Sequence, residues 1–378
     1  MSPPVAAPAS APQAQRLASL DALRGFDMFW IIGADAIGAA VAKLAGGPAV
    51  HFLAGQLDHA PWEGFRFYDL IFPLFVFMVG AAVPLSMDRM LSTEGRSAAL
   101  VRILKRTLLL YVLGLFYYGG LSTPLGDIRL LGVLQRIALC YGITSLLYLH
   151  LRPRNLVITA AGILLGYWAL LRWVPVPGFG PGDFAEGHNL TNWFDSQFLP
   201  LRKYDGTHDP EGILSTLPAI ASCLGGVLAC LWLRDEKLTA ARRSAGLVGA
   251  GLLLVALGWL WGMEFPVIKK LWSSSFVLVA GGWSCVLLGC FHYLIDVRQW
   301  KSWALPLIWV GCNPLAIYLI SNILDFNALA ARFVGGDISH FLDGLWPGFG
   351  GLALALVGSL ICFGICGFLH QRKIFLRL

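Results

Sequence analysis

Charge is scarce in this chain. Only 13% of its 378 residues are Asp, Glu, Lys or Arg, against roughly 25% in an ordinary soluble domain, which excludes a soluble enzyme. There is no C-x-x-C pair, and all eight cysteines (Cys140, Cys223, Cys230, Cys285, Cys290, Cys312, Cys362 and Cys366) fall inside apolar segments, so neither structural zinc nor a disulfide framework is expected. No P-loop, G-x-S-x-G, H-E-x-x-H or G-x-G-x-x-G motif stands in a fitting context, which removes support for ATP-driven pumping and zinc proteolysis. The 43 glycines follow no G-X-Y period, and this excludes collagen. The opening MSPPVAAPASAPQAQ lacks the basic start and apolar core of a signal peptide, so residues 1–15 are expected to be a flexible cytoplasmic tail.

What is present is apolar. Hydrophobic residues make up 57% of the chain and aromatic residues 12%, with a mean hydropathy of +0.68. The sequence therefore reads as an all-α integral membrane protein. A spanning helix needs about 20 mostly apolar residues, and ten such runs occur, near 24–43, 68–87, 104–121, 130–150, 155–174, 213–233, 244–263, 274–295, 303–324 and 349–369. They are continuous rather than alternating, which favours helices over a barrel. No internal repeat is evident, so an inverted-repeat transporter is not signalled. The net charge of +6 comes from short basic clusters between these runs, a topology signal rather than a nucleic-acid stripe. With the N-terminus inside, 18 of the Lys and Arg fall on one side and nine on the other, which predicts both termini in the cytoplasm. Residues 16–378 are then one polytopic membrane domain. Two outward segments, 44–67 and 175–212, are longer than connectors require, and their tryptophans and glycine turns predict ordered structure.

Ionisable groups within spans are costly and face partners or cavities, so Asp27, Asp35, Asp69 and Arg136 stand out. Asp69 opens the second span, where it can cap the helix. Arg136 lies about five to eight residues from an outer helix end, roughly 10 Å deep at about 1.5 Å per residue. A guanidinium there pairs with a carboxylate or binds an anion. Asp35 and His59 belong to neighbouring spans joined by one outer loop; together they could form a base whose ring is oriented by a carboxylate, although a loop histidine is commonly no more than polar surface. Arg102, Lys105 and Arg106 can serve as an inner-face anchor or receive a phosphate-rich cofactor, and Asp21 and Arg24 can pair with each other on one helical face.

Several pieces resemble one family. They are RLASLDALRG (16–25), HAPWEGFRFYDLIFPLFVFMVG (59–80), GVLQRIALCY (132–141), HDPEGILSTLPAI (208–220), LWSSSFVLVAGG (271–282), CNPLAIYLI (312–320) and RKIF (372–375). They are similar, in order, to the transmembrane acetyltransferases related to heparan-α-glucosaminide N-acetyltransferase, including a bacterial NagX-type branch. The resemblance implies transfer of an acetyl group from cytoplasmic acetyl-CoA to the amine of a glucosamine-type sugar on the periplasmic side of a bacterial inner membrane, without a metal and by a homodimer. It makes His59, in H-x-x-W-x-G, the catalytic histidine. Asp35 stands where the family commonly has Asn; a carboxylate accepts but does not donate, so Asp35 is expected to set the tautomer of His59. Asp69, Trp62, Glu211 and Asn313 are expected at the acceptor, and Arg24, Arg136, Lys105 and Arg106 at CoA. Spans rich in glycine (Gly114, Gly225, Gly226, Gly281 and Gly282) would pack closely around a conduit for the substrates. A covalent acetyl-histidine competes with general-base transfer, and the other functional classes are an N-acetylglucosamine transporter and an assembly partner without chemistry of its own.

Overall fold

A computed structural model describes residues 17–376; the tail expected over 1–15 lies outside them. The chain opens with α1 (Ala18–Lys43), a short exposed helix α2 (Pro48–Gln56) and a 3₁₀ turn Phe67–Leu70 leading into α3 (Ile71–Thr93). Then come α4 (Gly95–Tyr117), α5 (Val133–His150), α6 (Pro153–Trp173), the loop helix α7 (Leu190–Phe198), α8 (Thr216–Leu233), α9 (Ala240–Gly262) and α10 (Ser274–Phe291). The chain closes with α11 (Leu305–Gly311), α12 (Pro314–Ile323), two short helices α13 (Phe326–Val334) and α14 (Asp337–Leu345), and α15 (Phe349–Gln371). The described residues contain no strand, only two isolated bridges.

Among the described residues, seven helical segments are long and apolar enough to cross a membrane, and α11 with α12 makes an eighth if the bent pair is one span. The expected spans at α4 and α5 are helical over 23 and 18 residues, but α4 carries Arg102, Lys105 and Arg106, and α5 begins Val-Leu-Gln-Arg. These groups lower the hydropathy of both. The ninth expected span is not one rod. It bends by 68° between α11 and α12, because Pro314 disfavours helical backbone at Asn313.

The centre of the bundle is the crossing of α3 and α8. Of their most apolar stretches 67% and 72% is buried, against 17% for α9, whose surface faces outward. Lipid is as apolar as leucine, so close packing rather than water exclusion must hold such helices together. Gly80 and Gly226 supply it: a Cβ on Gly80 would collide with the carbonyl of Cys223, and one on Gly226 with the carbonyl of Phe77. Gly25 and Gly311 do the same for α1 against α11, where Leu307 and Asp21 approach.

Helix direction sorts the polar residues to two ends. α1 begins beside Glu94 and Arg102, with which Asp21 and Arg24 share a cavity wall, and reaches Asp35 17 residues later, roughly 25 Å along its axis. The chain then turns through the 44–67 segment, and α3 runs back. His59, Asp69 and the 175–212 loop therefore gather at one end, and the clusters around Arg89 and Arg102 at the other.

Candidate functional site

The outer-loop segment that carries His59 is fixed by backbone pairing. Glu63 and Ile268 form an antiparallel bridge, and Gly64 N–H donates to Val267 O at 2.8 Å. Gly64 has φ of +117°, which a side chain would resist. The partner strand of chain turns sharply at Trp272, a non-glycine residue at φ of +53°. Such backbone costs on the order of 1–3 kcal/mol and persists only where its surroundings hold it. Here the indole is buried, donates to Ser222 Oγ at 3.0 Å and packs edge-on against Phe72 and Phe276. The turn so anchored projects Lys269 and Lys270 toward the 57–66 loop.

His59 Nδ1 lies 2.8 Å from Asp69 Oδ1. The other oxygen of Asp69 accepts the amide N–H groups of Ala60 (3.2 Å) and Arg66 (3.0 Å), so the buried carboxylate acts as acceptor and the imidazole carries its proton on Nδ1. Nε2 is then the unprotonated nitrogen, on a side chain 49% exposed. Tyr68 stacks on the ring at 4.5 Å and 6°, and its hydroxyl donates to Asp35 Oδ1 at 2.9 Å. Sequence reasoning gave the orienting role to Asp35. In the structure the carboxylate on Nδ1 is Asp69, and Asp35 reaches the imidazole only through Tyr68. Asp69 also does the capping work foreseen for it, on Arg66 and Ala60. Lys269 Nζ completes the cluster, 3.0 Å from Nδ1, 3.2 Å from Nε2 and 3.6 Å from Asp69 Oδ1. Burial lowers the pKa of this lysine below the ordinary value, although the charges of Asp69 and Glu211 oppose the shift.

A second cluster grows from the DPEG turn. Asp209 Oδ1 accepts the Glu211 N–H at 3.0 Å, which aims both carboxylates at Arg129. Its guanidinium donates to Asp209 through Nε (2.8 Å) and Nη2 (2.6 Å) and to Glu211 at 2.5 Å. The guanidinium lies over the rings of Tyr118 and Tyr204, 4.9 Å from each. Asp195 braces the turn by accepting the Ile213 N–H at 2.9 Å. Burial raises the Asp195 carboxyl to about 6 and pushes Glu211 upward as well. Arg136, fully buried, donates to Ser215 Oγ and stands over the Trp272 ring at 4.9 Å; its Nε and Nη1 have no protein partner.

A cavity of about 760 Å³ opens among Arg89, Glu94, Arg102 and Arg106 and runs past Arg24, Ile31 and Val79 to Phe72, Val133 and Tyr318. Phe72, one turn beyond Tyr68, packs against Trp272 at 5.2 Å. Phe72 lines the cavity, and His59, Tyr68, Asp69 and Lys269 are not among its lining residues. Of the residues expected to hold CoA, Arg24 and Arg106 line this cavity and Arg136 and Lys105 do not. Arg136 turns toward the DPEG cluster and Lys105 is exposed. Of those expected at the acceptor, Glu211 is bound to Arg129, while Trp62 spends its N–H on Phe184 O (3.0 Å) with Lys270 over its ring. Asn313 instead clamps the C-terminal segment, donating to Ile374 O (2.8 Å) and accepting from the Leu376 N–H (3.0 Å).

Glu186, Asp205 and His208 place ligand-type atoms within 4.8 Å of one another, but the Lys270 ammonium already bridges the two acids at 2.7 and 3.1 Å. Tyr68, Lys269 and Arg129 escaped sequence reasoning. The acids of DPEG needed a buried cation, which pointed toward an arginine without saying which; nothing in the sequence joined 269 to 59.

Comparison with known proteins adds to this geometry. Residues 16–171 match a family described as a domain of unknown function, DUF5009. The chain is 27% identical over 372 residues to human heparan-α-glucosaminide N-acetyltransferase, covering 82% of this chain and 53% of that protein. It is 26% identical over 375 residues to the mouse protein of that name, covering 82% and 54%. The chain spans about half the length of these curated relatives, and across most of its own length it resembles heparan-α-glucosaminide N-acetyltransferase.

Proposed function

We propose that this protein is a membrane-embedded acetyltransferase that draws acetyl-CoA in at its basic end and delivers the acetyl group to the amine of a glucosamine-type sugar at the opposite end. One juxtaposition carries the reading: an imidazole is oriented by a buried carboxylate at one end of the bundle, and a cavity with Arg24, Arg89, Arg102 and Arg106 in its wall reaches Phe72, one turn from Tyr68. CoA carries phosphates that hydrocarbon excludes; guanidinium groups suit them, and the buried Arg106 Nε has no protein partner. The apolar middle of the cavity, with Ile31, Phe75 and Val79, suits an extended acyl-carrying arm.

At the other end His59 acts as general base. Nε2 takes a proton from the sugar amine as its nitrogen attacks the thioester carbonyl, and Asp69 holds the ring and the charge that forms on it. The leaving thiolate receives that proton. The bacterial inner membrane, with the basic end cytoplasmic, and a homodimer complete the reading.

Reconstitution tests it. Liposomes loaded with labelled acetyl-CoA should produce N-acetylglucosamine from external glucosamine, and His59→Ala should abolish the product while the protein stays folded. Movement of intact sugar without CoA would identify a transporter instead, and full transfer by the His59→Ala variant would reject the assignment.

A further inference from the structure

Lys269 forms an ion pair with Asp69, and makes a second contact that this pairing does not require. Asp69 already has three donors, from His59, Ala60 and Arg66, and its 3.6 Å separation from Lys269 Nζ is too long for a hydrogen bond. The ammonium lies instead against the imidazole, almost equidistant from Nδ1 and Nε2 at 3.0 and 3.2 Å. The in-plane directions of the two ring nitrogens diverge, so an atom that close to both is in line with neither. The ammonium, 3.2 Å from Nε2, is within hydrogen-bond reach of a carbonyl oxygen brought up to that nitrogen. It gets there by the shape of the turn, since Trp272 holds a left-handed backbone and a buried ring three residues away.

We propose that Lys269 is a catalytic residue of this transfer, donating to the thioester oxygen as that oxygen becomes an oxyanion. The inference rests on the acetyltransfer reading above. In the step the amine lone pair forms the C–N bond and the carbonyl π pair moves to oxygen, where Lys269 meets the charge. The oxygen then reforms its double bond, the C–S bond breaks, and the thiolate takes the proton that His59 removed from the amine. Lys269 keeps its protons throughout. Preorganised donors of this kind act where water is excluded and are worth the most there.

The groups facing Lys269 are His59 and Asp69 beside it, Tyr68 from the 67–70 turn, Asp35 from α1 and Glu211 from the DPEG turn. Three carboxylates favour its charged form and burial opposes it, with the net result that it gives up its proton at a lower pH than free lysine. The charge that the step requires is therefore lost as pH rises, at a lower pH than for free lysine.

Kinetics of the full chain in liposomes, with acetyl-CoA and glucosamine, decide the matter. Lys269→Met should lower kcat about 10²–10³-fold and leave KM for either substrate within about threefold. Lys269→Arg should recover much of kcat and move the alkaline limb of the pH profile upward, because guanidinium keeps its proton, while the acid limb stays in place. Gel filtration and melting curves establish that each variant folds; if the methionine variant does not, the arginine profile decides alone. Unchanged kcat in Lys269→Met, a loss confined to KM, or an alkaline limb that fails to move in Lys269→Arg would each overturn the proposal. His59→Ala separates the two ideas: an inactive His59 variant beside an active Lys269 variant sinks only this inference, and an active His59 variant sinks the transfer reading itself.

Discussion

At the scale of single residues, the decisive distinction is between Asp69 and Asp35. Both are carboxylates at the same end of the bundle, but only Asp69 touches the imidazole. Asp69→Asn should preserve the shape of the loop and cost about 10²–10⁴ in kcat, since an amide can present its NH₂ to Nδ1 and reverse the tautomer. Asp35→Asn, one tyrosine removed, should cost about tenfold or less under that logic. Equal losses in the two variants, measured at saturating acetyl-CoA, would show that Asp35 acts on the reaction directly. Residue identity at this site was half legible in the sequence. His59 stood out in H-x-x-W-x-G, and counting along the helix put Asp35 at the correct level. Level is only one coordinate, however; rotation about α1 and the rise of the 67–70 turn decided that Tyr68 would come between them. The acidic side of the DPEG cluster also has a pH signature. Asp195 and Glu211 are both shifted upward by burial, so ionising them costs the folded loop stability. That cost is absent below the ordinary carboxyl pKa and is felt in full above about 6 for Asp195. Amide exchange at Asp209 and Ile213, corrected for intrinsic base catalysis, should therefore show weaker protection at pH 8 than at pH 5, and the reverse order would contradict the shift.

Elements were read well where apolar runs are long and poorly where a special backbone interrupts them. Every expected span is helical, the ninth as two helices, because long apolar runs leave the backbone no other way to satisfy its hydrogen bonds in a bilayer. The break at Asn313 was signalled by Pro314, yet a hydropathy window averages over it. Helices α13 and α14 were missed because each is only nine residues long. Glycine gave a mixed lesson. Gly226 and Gly282 sit against backbone of neighbouring helices as expected, Gly114 against the side chain of Gln135, but Gly225 makes ordinary contact and Gly281 faces nothing within 4 Å. Composition reports how many small residues a helix has, and the packing angle decides which are used. The pair Gly226 and Gly281 makes this testable. Gly226→Ala must push α3 away from α8 and should lower the melting temperature of the purified protein by roughly 5 °C or more. Gly281→Ala should leave it unchanged, and a comparable loss in both would mean that the crossing does not hold the bundle.

The molecule as a whole separates two chemistries by its length. One end offers a carboxylate-oriented imidazole, the other a mouth lined by Arg24, Arg89, Arg102 and Arg106, with Asp21 and Glu94 among them. The sequence foretold that these basic residues would lie together, as a topology signal, but could not tell an anchor at the membrane surface from the rim of a cavity; that depends on whether the helices part, which no local pattern encodes. An anchor and a rim respond differently to mutation. Charges that only set orientation can be removed singly with no effect on substrate affinity, whereas guanidinium groups that grip phosphates cannot. Arg102 is held only loosely, 3.6 Å from Glu94, and Arg106 lies over the Tyr141 ring at 4.7 Å, so both can reorient toward an anion. The double variant Arg102→Gln, Arg106→Gln should raise KM for acetyl-CoA about tenfold or more, at roughly 1.4 kcal/mol per factor of ten, while kcat at saturation stays near that of the parent. Lys105→Gln, one position away but outside the cavity, should leave both constants unchanged. The parent's KM should also rise with salt, as screening weakens the attraction between exposed charges, and the double variant should show less of that rise. If Lys105→Gln and the double variant behave alike, the arginines are an anchor, and the thioester enters by another route.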